Sequence, residues 1–220
     1  MGGLSELSRS IQGRVAIVTG AASGMGRATA RVLSDEGARV AVVDINTEGV
    51  NRVVDEIQSE GGFAQGYAID LTNPEKILPL VSSVRSDLGE IDILINNAGG
   101  PPPGIWSDWE NEDFISAVNA NMITPIALIK TVLPNMISNR WGRIVNITSQ
   151  AVKAPVPALG LSNSARAGLT GYVAGTSRQV AEYGVTINNL LPGMHDTRRL
   201  VDLDSALSKE KGISLEEART

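Results

Sequence analysis

Short β-branched runs alternate along this chain with longer stretches of helical periodicity. Arg14-Val15-Ala16-Ile17-Val18-Thr19 reads as one strand and Arg39-Val40-Ala41-Val42-Val43-Asp44 as a second. Further strands are expected around Tyr67 to Asp70, Ile91 to Asn97, Arg143 to Thr148 and Val185 to Leu191. Several of these runs are apolar at consecutive positions, the pattern of parallel strands covered by helices on both faces. Between them, Val50, Val53, Val54 and Ile57 fall at i, i+3, i+4 and i+7 and form one apolar stripe. Ile77, Val81, Val84 and Leu88 repeat that spacing behind Thr72-Asn73-Pro74-Glu75, which has the form of a capping box. Gly37 and Gly61 stand where helix C-caps belong. Longer helical stretches are expected from Asn111 to Asn139 and from Leu161 to Tyr183. Six strands alternating with five helices predict an α/β fold. It is a doubly wound parallel sheet in a Rossmann-like, three-layer αβα arrangement with right-handed crossovers. No linker interrupts the pattern, so residues 1–220 are expected to form a single domain.

Composition leaves that architecture in place and narrows the chemistry. With 220 residues, 42% hydrophobic and 20% charged, the balance is that of a globular domain and not of a disordered chain. No run approaches the roughly 20 uninterrupted apolar residues of a membrane helix. The net charge of -5 argues against a phosphate-backbone binder. Neither a membrane nor a nucleic acid is therefore an expected partner. The chain has no cysteine, which excludes disulfides, Cys-based zinc sites and thiol chemistry. Met1-Gly2-Gly3-Leu4-Ser5-Glu6 lacks the apolar core of a signal peptide, and a cytoplasmic protein is the expectation. The 23 glycines beside eight aromatics point to many tight backbone approaches.

The densest glycine cluster carries the first chemistry. The first strand runs directly into Thr19-Gly20-Ala21-Ala22-Ser23-Gly24-Met25-Gly26, followed by a helix expected to carry Met25, Ala28, Val32 and Leu33 on one side. Glycines suit this turn because a pyrophosphate must approach backbone N–H groups at a helix N-terminus. A side chain on Gly24 or Gly26 would obstruct the ligand or the helix–strand contact. Asp44 ends the second strand, 18 residues after Gly26, where a carboxylate accepts hydrogen bonds from an adenosine ribose diol. A 2′-phosphate would meet a like charge there, so NAD(H) is favoured over NADP(H).

Thr19-Gly20-x-x-x-Gly24-x-Gly26 together with Asn96-Asn97-Ala98-Gly99 resembles the short-chain dehydrogenase/reductase family. The resemblance runs from Gly13 to about Thr197 through Asp70, Asn121, Ser149 and Pro192-Gly193, and is closest to the 3-oxoacyl carrier-protein reductases. It implies that Thr19 and Asn97 tie strands one and four together and that Asp70, with Leu71 beside it, meets the adenine. Pro192, Gly193 and Thr197 would border the nicotinamide. Thr19, Gly20, Ser23, Gly24, Met25, Gly26, Asp44, Asp70, Leu71, Asn97, Ala98 and Gly99 are thus the expected cofactor contacts. The resemblance also implies a homodimer or homotetramer built through the helices near Asn111 to Asn139 and Leu161 to Tyr183. It implies a small carbonyl or alcohol substrate, with a 3-oxoacyl thioester as the first candidate.

The family's catalytic set is an Asn, a Ser and a Tyr-x-x-x-Lys pair. Asn121 and Ser149 match the first two members. Thirteen residues past Ser149 the chain reads Ser162-Asn163-Ser164-Ala165-Arg166, so Ser162 stands for the tyrosine and Arg166 for the lysine. The expected catalytic residues are therefore Asn121, Ser149, Ser162 and Arg166, with Arg166 also on the cofactor ribose. A phenol with a pKa of about 10 can be brought toward neutrality by a nearby cation. An aliphatic hydroxyl starts several units higher, nearer the roughly 15.7 of water. Arg166 stays cationic and can hold a ribose hydroxyl without shuttling a proton.

Three outcomes follow for the proton. Pro125 has no N–H for the Asn121 carbonyl, leaving that oxygen for a water, and the resemblance implies a relay water there. His195, the single histidine, lies just beyond Pro192-Gly193 with an ordinary pKa near 6.5. Alternatively no donor exists, and the chain is a catalytically silent dinucleotide-binding protein. Trp106 and Trp109 either line an apolar substrate pocket or pack on the helix that follows. Lys153 reads as a solvated loop residue. Residues 198–220, with Arg198 and Arg199 at their start, either resemble the family's mobile substrate lid or form a disordered or surface helix, and the family's last strand finds no match in the chain.

Overall fold

The computed structural model describes residues 9–193 together with His195, Val201, Ser205, Ser208, 212–214 and Glu217. Thr197, Arg198, Arg199 and most of the expected lid lie outside the described residues. Six strands form one parallel sheet among the described residues: β1 (Val15–Thr19), β2 (Arg39–Asp44), β3 (Phe63–Ala68), β4 (Ile91–Asn96), β5 (Gly142–Ile147) and β6 (Val185–Leu190). Their spatial order is β3-β2-β1-β4-β5-β6, every neighbouring pair parallel. The helices are α1 (Gly24–Asp35), α2 (Thr47–Ser59), α3 (Ile77–Leu88), α4 (Asn111–Val118), α5 (Thr124–Ser138) and α6 (Gly160–Val180). This is the doubly wound, three-layer α/β arrangement that the alternating pattern predicts.

The two faces of the sheet carry two apolar clusters. Ile17, Val43, Leu94 and Ile144 pack with α3, α5 and α6. Val18, Val42, Ile93 and Ile95 pack with α1 and α2. All five residues of β1 are buried, so each successive side chain has a core of its own to enter. The stripes on α2 and α3 face inward as expected, with Val50, Val53 and Ile57 buried on one and Ile77, Val81, Val84 and Leu88 on the other. Gly37 and Gly61 follow the ends of α1 and α2 with φ of 84° and 85°, the left-handed conformation of a helix stop.

Four expectations are corrected. The third strand starts at Phe63, four residues before the expected Tyr67, and ends at Ala68, two residues before the expected Asp70. It is an edge strand with alternating exposure, and Phe63 earns its place under the Arg39 guanidinium, 4.8 Å from the ring centre. Of the stripe expected on α1, Met25 and Leu33 pack against the core beside the buried Gly26, Ala30 and Ser34, whereas Ala28 is exposed and Val32 is 59% exposed. The close approach of Gly26 to β1 sets the rotation of that helix, overriding the rest of its apolar stripe. Asn73 caps the short turn Pro74–Lys76 through a bond from the Glu75 N–H, and Thr72 bonds Asp70 instead of closing a box.

The helix expected from Asn111 to Asn139 is α4, a π-helical turn over Asn119–Ile123, and α5. The Thr124 N–H donates to the Asn119 carbonyl, five residues back, and Pro125 has no N–H to restore the α-helical ladder. Asn111–Ser138 is then 28 residues of helix, long and apolar enough by length and composition to cross a membrane. Its Leu128, Ile129, Val132 and Met136 instead fill the core beneath the sheet.

Candidate active site

The strand order reverses between β1 and β4, since β1 pairs with β2 on one side and β4 on the other. Ligand clefts of open α/β sheets form at the carboxyl ends of strands beside such a point. Here the cleft encloses about 270 Å³. Its floor is tied by Thr19, whose hydroxyl donates to the Asn97 main-chain oxygen at 2.7 Å and accepts the Asn97 N–H at 2.9 Å. Asn97 Nδ2 donates to the Gly20 carbonyl at 3.1 Å. A Cβ on Gly26 would fall 2.1 Å from the Gly20 oxygen, so only glycine lets α1 approach β1 this closely.

Asp44 holds the rim. Its Oδ2 accepts the Ala22 N–H and its Oδ1 the Asn46 N–H, both at 3.0 Å, which fixes the carboxylate at the end of β2. Asp70 accepts the Thr72 hydroxyl at 2.7 Å and the Thr72 N–H at 2.9 Å, and these bonds hold its carboxyl below the usual carboxylate range. The loop that follows is bonded to the π turn: Asn119 Nδ2 donates to the Thr72 carbonyl, and the Thr124 hydroxyl to the Leu71 carbonyl. Asn121, 5% exposed, sits in that turn and faces the cleft.

On the opposite wall stands Arg166 of α6, with Ser162 one turn before it on the same helix and outside the lining; both are buried. The Arg166 guanidinium donates to the main-chain oxygens of Ile147 and Thr148 at the end of β5. Two residues past β5, the Ser149 hydroxyl oxygen accepts the Ala151 N–H at 3.1 Å. Gln150 N–H donates to the Pro192 carbonyl, drawing the ends of β5 and β6 together.

The cleft gathers Thr19, Gly20, Asp44, Asp70, Leu71, Asn97, Ala98, Gly99, Asn121 and Arg166. Ser23, Gly24, Met25 and Gly26 stand at the start of α1 beside it. Ser149, Ser162, Pro192 and Gly193 also lie outside its lining. His195 is exposed, its Nδ1 3.1 Å from the Gly193 carbonyl. Trp106 is 87% exposed, and Trp109 meets Phe114 edge-on at 6.2 Å, so the packing alternative holds for Trp109. Lys153 is exposed.

One feature that starts at the cleft and runs away from it carries no motif in the sequence. Asn96 Nδ2 donates to Asn146 Oδ1 at 2.8 Å and Asn146 Nδ2 to Asn189 Oδ1 at 3.0 Å, a side-chain ladder across β4, β5 and β6. Asparagines in three strands that sit at the same register are its sequence signal.

The residues present fit a dinucleotide. Ser23 and Gly24 at the start of α1 are exposed and the Ser23 side chain makes no cap bond, a Cβ on Gly99 would meet nothing within 4 Å, and a carboxylate stands fixed at the rim. Comparison with known proteins agrees. The family model described as short chain dehydrogenase matches residues 14–207. The 3-oxoacyl-[acyl-carrier-protein] reductase FabG of Vibrio cholerae is 33% identical over 203 residues, covering 91% of this chain and 80% of that protein. Among solved structures, a variant of actinorhodin polyketide ketoreductase with NADPH superposes with a TM-score of 0.89 at 32% identity, covering 93% of this chain and 79% of the other. An NAD+-bound xylitol dehydrogenase gives 0.80 at 30% identity, covering 84% and 72%. The chain belongs to the short-chain dehydrogenase family of NAD(P)-dependent oxidoreductases.

Proposed function

We propose that this chain interconverts a carbonyl and a secondary alcohol, prefers NAD(H) to NADP(H), and takes a 3-oxoacyl thioester as its first candidate substrate. The observation that carries the reading is the single cleft joining the Thr19–Asn97 floor, the Asp44 rim, Asn121 and Arg166. The substrate class draws support from the Vibrio cholerae relative, which is named a 3-oxoacyl reductase. Proteins of this fold are named with NADPH and with NAD+, so the preference rests on Asp44, whose charge opposes a 2′-phosphate.

A bound nicotinamide supplies or accepts the hydride. The chain's own groups then position the substrate oxygen and manage its proton. Ser149 accepts a backbone N–H and so keeps its own O–H to donate to a substrate oxygen. Arg166 is a fixed cation against the β5 carbonyls and favours electron-rich oxygens nearby without releasing a proton. Ser162 offers a hydroxyl far less acidic than a phenol, so the proton is assigned to water held by the Asn121 carbonyl. The π turn supports that assignment, because Pro125 cannot donate to this oxygen and the Thr124 N–H is already given to Asn119. The assembly is a homodimer or homotetramer, for which the exposed Phe114, Ile115 and Ile123 on the α4–π-turn face supply an apolar surface. A single domain over 1–220, a lid at 198–220 and a cytoplasmic setting complete the reading.

A second reading is favoured by the same wall: with Ser162 in the buried i position and the Arg166 guanidinium turned onto main-chain carbonyls, the site binds a dinucleotide without turnover. NADH oxidation against a panel of carbonyls separates the two. Wild-type turnover that Ser149→Ala lowers by about a hundredfold or more is the expected result. Activity found only when Ser162→Tyr and Arg166→Lys are combined overturns the catalytic reading.

A further inference from the structure

Ala22 sits at the tip of the glycine turn and is gripped from both sides. Its N–H donates to Asp44 Oδ2 at 3.0 Å, and its carbonyl accepts from Arg52 Nη2 at 2.7 Å. Arg52 comes from the second turn of α2, and Asp44 from the strand that feeds α2. One residue of the turn therefore links an acid and a base at the rim where the adenosine ribose is proposed to lie.

Arg52 is not a loose surface cation. Its Nε lies 3.8 Å from Glu56 Oε1, while Glu56 Oε2 accepts from Arg27 Nε on α1 at 2.7 Å. Glu56 therefore faces guanidinium groups from both α1 and α2, and the Arg27 bond holds its carboxyl below the usual range. Arg52 Nη2 thus stays on the turn while the side chain is still 57% exposed and open toward solvent.

Resting on the reading that this rim takes a nicotinamide dinucleotide, we infer that Arg52 is a positioning and specificity residue at the ribose end. With Asp44 present it clamps the Ala22 carbonyl and so holds the Ala22 N–H against the carboxylate that meets the ribose diol. With the Asp44 charge gone, the same guanidinium, held on the Ala22 carbonyl beside it, receives a 2′-phosphate. The selectivity of the rim is then the balance between two opposite charges that share Ala22, and not a property of Asp44 alone.

The test compares NADH and NADPH dissociation constants, by calorimetry or cofactor fluorescence, in wild type, Arg52→Met, Arg52→Lys, Asp44→Ser and Asp44→Ser combined with Arg52→Met. Thermal melts of the cofactor-free proteins run alongside. Arg52→Met should weaken NADH by about three- to tenfold, the equivalent of one modest hydrogen bond, and Arg52→Lys should restore most of that loss. Asp44→Ser should improve NADPH relative to NADH by about tenfold or more, and adding Arg52→Met should erase the gain. If Arg52→Met melts normally and binds NADH like wild type, or if the double variant keeps the NADPH gain, the proposal falls and the dinucleotide reading stands. A folded wild-type chain that binds neither dinucleotide overturns both.

Discussion

Replacing Thr19 by valine keeps the β-branched shape at the end of β1 and deletes one oxygen. That oxygen is 5% exposed as part of its residue and serves two main-chain groups of Asn97, donating to the carbonyl and accepting from the N–H. Neither group has a strand neighbour to replace it, because β4 ends at Asn96. Leaving a partly buried donor and acceptor unpaired costs about 1–1.5 kcal/mol each, hence about 2–3 kcal/mol together. For a chain of this size that lowers Tm by about 4–12 °C. Chemical denaturation and a thermal melt read the loss directly, and Thr19→Ser, which keeps the hydroxyl, should recover more than half of it. Because Asn97 also holds the Gly20 carbonyl, NADH affinity should fall in Thr19→Val beyond what partial unfolding explains. A Thr19→Val protein that melts within about 1 °C of wild type would show that the β1–β4 tie is not what holds the cleft floor.

Gly26→Ala places a methyl 2.1 Å from the Gly20 oxygen, so α1 must shift outward; a loss above about 3 kcal/mol in denaturation and of measurable NADH binding is expected. The Asp70 carboxyl is held low by the Thr72 hydroxyl and N–H, so it contributes stability that is present above its unfolded pKa and lost as the pH falls through its folded value. Asp70→Asn should therefore flatten the acid limb of a stability–pH curve below about pH 4 and leave the neutral region's slope unchanged.

Consistency between levels made much of this fold readable. β1, β2, β4 and β5 are strands whose apolar runs have a helix layer on each face, and β6 buries Val185 and Ile187 on one face only, so pattern and burial agree. The glycine turn and Asp44 were legible for the same reason: a strand, a tight turn and a helix in that order leave few backbone paths. The face of α1 was only half legible, because its rotation is set by one close contact at Gly26 and not by where Val32 and Ala28 fall. β3 was misplaced because an edge strand needs apolar residues on one side only, and a cation–π contact anchors its first residue. Arg52 was hidden for a different reason. A surface arginine on a polar helix face carries no sequence mark of the carbonyl it reaches 30 residues away. The asparagine ladder lay in view but inside apolar strands, where periodicity counts polar residues as noise.

At the opposite end of the sheet from the cleft, Trp141 precedes β5 with guanidinium groups on it, Arg14 at 4.0 Å and Arg143 at 4.5 Å from its ring centre. Arg14 is itself tethered to Asp92 at the start of β4 at 2.8 Å. The three tryptophans thus occupy three unlike electrical settings: one between cations at the foot of β1 and β5, one edge-on to Phe114, and one bare at Trp106. Emission from Trp141 is expected to follow the packing that holds Arg14 and Arg143 on its ring at the foot of the sheet. Light from the exposed Trp106 answers to whatever enters near the Gly/Pro loop. Variants that keep Trp141 or Trp106 as the one emitter would therefore read two different things, integrity at the foot of the sheet and traffic at its mouth.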